Sequence, residues 1–214
     1  RVELTVDVER RRSVARNHTA THLLQYALRT VLGDHVKQSG SLVDRDRLRF
    51  DFTHFQSLDP EQIKHVEDIV NEKILAGTDV ATVVKSKEDA VREGATALFE
   101  EKYGETVRVV RVGDFSMELC GGTHVRNTGE IGSFVILSEG SLAYGVRRIE
   151  AVTGKGAIEY RRGIEAIVRS AARLLKSDID SVTSKVESMM ERHDALQKEM
   201  ERLKDASASG EIDE

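Results

Sequence analysis

The chain opens with Val2, Leu4, Val6 and Val8 alternating with polar residues, a period of two that predicts a strand. The period then changes. From about Val14 to Leu32 the apolar residues Ala20, Leu23, Leu24, Ala27, Leu28, Val31 and Leu32 recur at helical steps, with Gly33 as the stop. Leu48, Phe50 and Phe52 alternate with Arg47, Arg49 and Asp51, which predicts a strand with one apolar and one ionic face. Asp59-Pro60-Glu61-Gln62 reads as a helix start, because Asp59 can cap, Pro60 suits the first turn and Gln62 completes a box. Ile63, Val66, Ile69, Val70 and Ile74 form the buried stripe of that helix, which ends before Gly77. Further strands are expected near 80–84, 107–112, 131–137 and 146–152, with short helical pieces between residues 87 and 101. Strands and helices that do not alternate regularly favour an α+β fold with mixed or antiparallel sheets over a doubly wound one. No internal repeat is visible.

After Gly154-Lys155-Gly156 the pattern becomes almost wholly helical. Leu175, Ile179, Val182, Val186, Met189, His193, Leu196, Met200 and Leu203 step by four and three, a heptad seam of about four repeats. His193 reads as a tolerated polar seam position that sets register. The expected organisation is a globular domain over 1–156, a helical or coiled-coil segment over 157–205, and a flexible tail over 206–214.

Composition narrows the function classes. The 214 residues carry a formal net charge of −5, which argues against a general polyanion binder. The charge is uneven: residues 1–50 hold 10 Lys/Arg against 6 Asp/Glu, whereas residues 51–100 hold 5 against 11. A basic surface is therefore expected near Arg10, Arg11, Arg12, Arg16, Lys37, Arg45, Arg47 and Arg49, with Arg147 and Arg148 as later candidates. No apolar run is long enough for a transmembrane helix, and no secretory signal pattern is visible. One Cys excludes an internal disulfide framework and fits a reducing, cytoplasmic setting. The chain starts at Arg1 rather than Met, as expected of a fragment.

Two short motifs carry the chemistry. His18-Thr19-Ala20-Thr21-His22 sets two imidazoles four residues apart, on one helical face. Cys120-Gly121-Gly122-Thr123-His124 sets a thiol and an imidazole at the same spacing in a glycine turn. These borderline-soft donors favour zinc over magnesium or calcium. Chance produces one His-x-x-x-His pair readily, but it seldom also gives the chain's only Cys a His four residues on. Around the helix axis, His18 and His22 share a face with Gln25 and Arg29, opposite the apolar stripe. Four protein ligands suit structural zinc, and catalytic zinc usually keeps one position for water, so residue types alone leave both roles open. Thr19, Thr21 and Gln38 are polar residues that could surround such a site. Phosphate-loop, dinucleotide and Ser-His-Asp signatures are absent from the sequence.

At these residues the chain resembles a known family. Arg16–His22, Gln38–Val43, Leu48–Phe52, Glu118–His124 and Gly145–Gly154 look like the editing domain of alanyl-tRNA synthetase, in register from about residue 1 to 157. The coiled segment resembles the start of the region that joins that domain to the family's C-terminal domain. The resemblance implies a synthetase second-additional-domain fold and zinc held by His18, His22, Cys120 and His124. It also implies that Thr21, Gln38 and Cys120 serve the editing site. The implied reaction is hydrolysis of the ester joining serine or glycine to the 3′ end of tRNA(Ala), with zinc orienting or activating a water. A pocket that hydrogen-bonds a hydroxyl separates serine from alanine; the same reasoning does not cover glycine. The family's aminoacylation domain has no counterpart here, so charging of tRNA is not expected.

Freestanding AlaX-type trans-editing proteins and the threonyl-tRNA synthetase editing domain share the His and Cys pairs. The Cys-Gly-Gly-Thr-His and Val-Arg-Arg-Ile-Glu stretches favour the alanyl type. From another class, a non-catalytic tRNA-binding or oligomerisation module with structural zinc also fits. Self-association is expected to run through the C-terminal coil.

Overall fold

A computed structural model describes residues 2–96 and 104–210. They divide into two compact units, Arg1–Glu159 and Tyr160–Glu214. The first unit opens with helix α1, Val8–Leu32. Its start is set by Asp7, whose side chain accepts the Arg10 backbone N–H at 3.0 Å, and its end by Gly33 at φ 109°. The expected opening strand does not form. Residues 2–7 have no regular structure, and Val2, Leu4, Val6 and Val8 are all exposed, so the alternation finds no partner strand to pair with. The helix predicted from Val14 gains a turn and a half upstream because Asp7 supplies a cap there.

Strands β1 (Gln38–Val43) and β2 (Leu48–Thr53) form an antiparallel hairpin after α1. Helix α2 (Pro60–Leu75) follows, with the Asp59/Gln62 capping box in place and Val66, Val70 and Ile74 buried. Next come β3 (Val80–Ser86), the short helix α3 (Lys87–Arg92), β4 (Thr106–Val112) and β5 (Ser116–Leu119). Residues 93–96 leave the helix through a turn and a single bridge from Thr96 to Glu118, and residues 97–101 of the helical stretch expected there lie outside the described residues. Then β6 (Phe134–Ala143) and β7 (Val146–Thr153) complete two antiparallel sheets, ordered β1-β2-β7-β6 and β3-β4-β5. The fold is α+β, as expected.

One core joins α1, α2 and the larger sheet. Leu23, Leu24 and Leu28 pack with Leu48, Phe50, Phe52, Ile74, Phe134 and Ile149, all 2% exposed or less. Each such side chain contributes about 1.5–3 kcal/mol of burial, so this cluster is the main stabilising element of the unit. The ionic face of β2 pairs across strands. Arg148 on β7 grips Asp51 through two bonds of 2.7 and 2.9 Å, and Arg49 adds a 3.7 Å ion pair. Arg147 is likewise bidentate to Glu139, at 2.5 and 2.7 Å.

The second unit takes up helix α4 (Gly154–Leu175) from Tyr160 onward and continues into α5 (Val182–Gly210). The heptad seam is shorter than the sequence pattern. Lys176 takes φ 49°, its N–H bonds the Arg173 carbonyl, and a 3-10 turn at Ile179–Ser181 separates the two helices. Leu175 and Ile179 therefore fall outside the helix that carries the rest of the seam. Along α5, Val186, Met189, Leu196, Met200 and Leu203 are exposed. The helix runs through Gly210, across much of the segment read as a flexible tail.

Candidate metal centre

His18 and His22 sit mid-helix on α1, on the face away from the leucines that enter the core. Cys120 and His124 come after β5, in a loop whose backbone is held to β4: Cys120 N–H donates to the Arg108 carbonyl at 2.9 Å. The Arg108 guanidinium also hydrogen-bonds the Gly122 carbonyl. Residues about a hundred positions apart thus meet where α1 crosses the end of β5.

The donor atoms of His18, His22, Cys120 and His124 all lie within 4.8 Å of one another. Cys120 Sγ is 3.4 Å from His18 Nε2 and 3.3 Å from His124 Nε2. Zinc–sulfur and zinc–nitrogen lengths of about 2.3 and 2.0–2.1 Å place tetrahedral partners roughly 3.5 Å apart, so these spacings suit one ion. His22 Nε2 is buried and has no hydrogen-bond partner. An orphaned buried nitrogen is costly, and a metal at the centre of the cluster would satisfy it. The residues fit zinc on both counts.

Two of the remaining ring nitrogens have neighbours of their own. His22 Nδ1 lies 2.7 Å from Glu118 Oε2, and both side chains are only 6% exposed. His124 Nδ1 lies 3.2 Å from Thr19 Oγ1, which also accepts the Val125 N–H at 3.2 Å. Gly122 lets the loop approach the helix: a Cβ there would stand 1.9 Å from His18 Cε1.

Charge follows from this packing. Burial alone would depress the His22 imidazole, but the Glu118 carboxylate and its contacts with Cys120 and Glu118 raise it to about 10. Burial pushes the Cys120 thiol up, and contacts with His124, His18 and His22 overcome that, bringing it down to about 3. His124 is lowered, chiefly by burial. Cys120 is therefore a thiolate, the form that binds metal.

The other expected site residues are held by partners outside the four-residue cluster. Thr21 is buried and donates its hydroxyl to the Asn17 carbonyl at 2.9 Å, within a network in which Asn17 bonds the Asp44 carbonyl and Thr153. Gln38 begins β1 and donates from Nε2 to Ser41 Oγ at 3.0 Å. His35 and His54 pair with each other, Nε2 to Nδ1 at 2.9 Å. Glu118 stands at the head of the Cys120–His124 motif, yet sequence reasoning gives it no role; its signal was the polar pair Ser116/Glu118, two apart in a strand too short to be read as one. Val6, Asp7, Arg10, Arg11, Val14 and Thr123 line a cavity of about 280 Å³, which sets two arginines beside the Cys120–His124 loop.

Residues 107–150 match the family described as "Threonyl and Alanyl tRNA synthetase second additional domain". The match runs from β4 into β7 and contains the Cys120–His124 motif. The chain is 53% identical over 204 residues, 95% of its length, to alanine–tRNA ligase of Fervidobacterium nodosum. It is 51% identical over 213 residues to the alanine–tRNA ligases of Acetivibrio thermocellus and Pseudomonas entomophila, covering 100% and 98% of the chain. In each case it spans 24% of the relative, about a quarter of its length. Over nearly its whole length the chain is thus similar to a segment about a quarter as long as these alanine–tRNA ligases, and within it residues 107–150 match the second additional domain.

Proposed function

We propose that this domain is an editing hydrolase, cleaving the ester that joins serine or glycine to the 3′ end of tRNA(Ala) during protein synthesis in the cytoplasm. The observation that carries the reading is the three-nitrogen, one-sulfur cluster with its orphaned His22 Nε2. His18, His22, Cys120 and His124 would hold zinc, which when bound supplies Lewis acidity for attack of water on an ester carbonyl. The protein's part is to hold those ligands rigidly on α1 and the loop pinned by Arg108. Gln38 is the residue assigned to meet the substrate. No described residue donates to its Oε1, which leaves that oxygen for a serine hydroxyl. Thr21 supports the pocket from α1 through its bond to the backbone. Arg10 and Arg11, beside Thr123, are placed to meet phosphates of the acceptor end. The exposed seam of α5 is assigned to self-association.

Four protein donors also complete a tetrahedron without a solvent position, which favours the second reading, a tRNA-binding or oligomerisation module with structural zinc. Incubation with Ser-, Gly- and Ala-tRNA(Ala) separates the two. Release of serine and glycine with Ala-tRNA(Ala) spared supports the hydrolase, and binding without turnover supports the module.

A further inference from the structure

We infer that Glu118 is a positioning residue for the metal centre: its carboxylate fixes the His22 ring so that Nε2 is the nitrogen offered to the ion. The inference rests on the metal-holding part of the function proposed above. Imidazole coordinates metal through one unprotonated nitrogen, and its proton then sits on the other. At His22 the geometry decides which. Nε2 is buried without a partner and belongs to the donor cluster, whereas Nδ1 faces Glu118 Oε2 at 2.7 Å. The two groups form a close ion pair rather than an aligned hydrogen bond, Oε2 being itself without a hydrogen-bond partner, and the carboxylate favours a proton on the ring nitrogen that faces it. Both side chains are 6% exposed, so bulk water is poorly placed to take over the acceptor role.

The carboxylate is itself oriented. β5 puts Ser116 and Glu118 on one face, and Ser116 Oγ donates to Glu118 Oε1 at 3.2 Å, which leaves Oε2 for His22. The other identified ring partner differs in kind. Thr19 Oγ1, opposite His124 Nδ1, is a hydroxyl that can donate or accept and therefore does not dictate the ring's tautomer. A carboxylate group, by contrast, only accepts.

Zinc affinity would be measured by competition with a chromophoric chelator on wild type, Glu118→Gln and Ser116→Ala. Proton–nitrogen spectra of the zinc-loaded histidine rings would be recorded alongside. Loss of an outer partner of this kind lowers metal affinity about 10–100-fold, and that is the fall expected for Glu118→Gln. Wild-type spectra should show His22 protonated at Nδ1, with a slowly exchanging proton that Glu118→Gln loses. A merely structural glutamate would lower the melting temperature while affinity and tautomer stayed as in wild type. If Glu118→Gln fails to fold, Ser116→Ala carries the test, with an expected fall of about threefold because the hydroxyl acts on His22 only through Glu118. Unchanged zinc affinity in the folded variant, or a wild-type His22 protonated at Nε2, overturns the inference, as does a wild type that binds no zinc. A wild type that binds zinc but leaves Ser-tRNA(Ala) intact removes the hydrolase reading alone.

Discussion

Gly122→Ala tests the metal centre with a single methyl group. Gly122 is not among the glycines with positive φ, so its backbone accepts alanine and any effect must come from space. The added Cβ would stand 1.9 Å from His18 Cε1 and 2.2 Å from His18 Nδ1. Carbon contacts settle near 3.5 Å, so the ring must retreat by roughly 1.5 Å. Metal sites tolerate about 0.2 Å in ligand distance, and the displaced imidazole therefore leaves the coordination sphere. Losing a direct ligand should cost at least the upper end of an outer-partner effect, about 100-fold in zinc affinity or about 2.8 kcal/mol. Folding should suffer less, because His18 is only half-buried and the leucines behind it stay packed. Gly121→Ala is the matched control: a Cβ there meets nothing within 4 Å. It should bind zinc like wild type and gain up to about 1 kcal/mol from the stiffer unfolded chain. Chelator competition and thermal unfolding read both variants. Equal zinc affinity in Gly122→Ala and wild type, or an equal loss in both variants, would refute the reasoning.

Binding of tRNA should be strongly salt-dependent, and removing Arg10 and Arg11 together should reduce the log–log salt slope by about 2. Replacing Arg147 or Arg148 should leave the slope unchanged and lower the melting temperature, since Glu139 and Asp51 already engage those guanidiniums. Sedimentation at rising concentration should show self-association that Met189→Lys with Leu196→Lys abolishes; a wild type that stays monomeric counts against the α5 surface. Metal-free stability should be flat between about pH 6.5 and 9 and fall on either side. Cys120, depressed from 9.0 to about 3, stabilises fully above pH 9 and loses that contribution as pH falls towards 3. His22, raised from 6.5 to about 10, stabilises fully below pH 6.5 and loses it as pH rises towards 10, so the two slopes cancel between. A metal-free unfolding profile that climbs steadily through that range contradicts the coupled assignment.

Much of this was legible because burial writes a strong period. The stripes of α1 and α2 and the alternation of β2 identify elements whose apolar faces do enter the core. Where the period was weak or unsupported, the reading failed. Val2 to Val8 alternate without a neighbouring strand, and Asp7 claims the end of that stretch for α1. Gln38-Ser-Gly-Ser-Leu-Val carries no apolar alternation to read, yet it forms β1 because β2 offers it an edge, with a register shift beside Gly40. The seam from Leu175 to Leu203 ignored the left-handed turn at Lys176, which no periodicity reveals. At the site, the four clustered side chains could be paired by spacing alone. Glu118 and Arg108 could not, because their roles depend on how β4 and β5 meet α1.

Whether the four ligands make a catalytic centre is tested most directly on Cys120→Ala beside wild type, measuring zinc content, melting temperature and the rate of Ser-tRNA(Ala) deacylation on the same preparations. A catalytic centre on a core that is stable in its own right predicts a wild type that holds zinc, loses deacylation when stripped and regains it on reloading. It also predicts a Cys120→Ala protein that loses zinc and deacylation yet melts cooperatively, because the cluster around Leu24, Phe50 and Ile149 holds the fold. A Cys120→Ala protein that lacks zinc and still deacylates at the wild-type rate would contradict a catalytic zinc, and one that unfolds outright would make the centre structural.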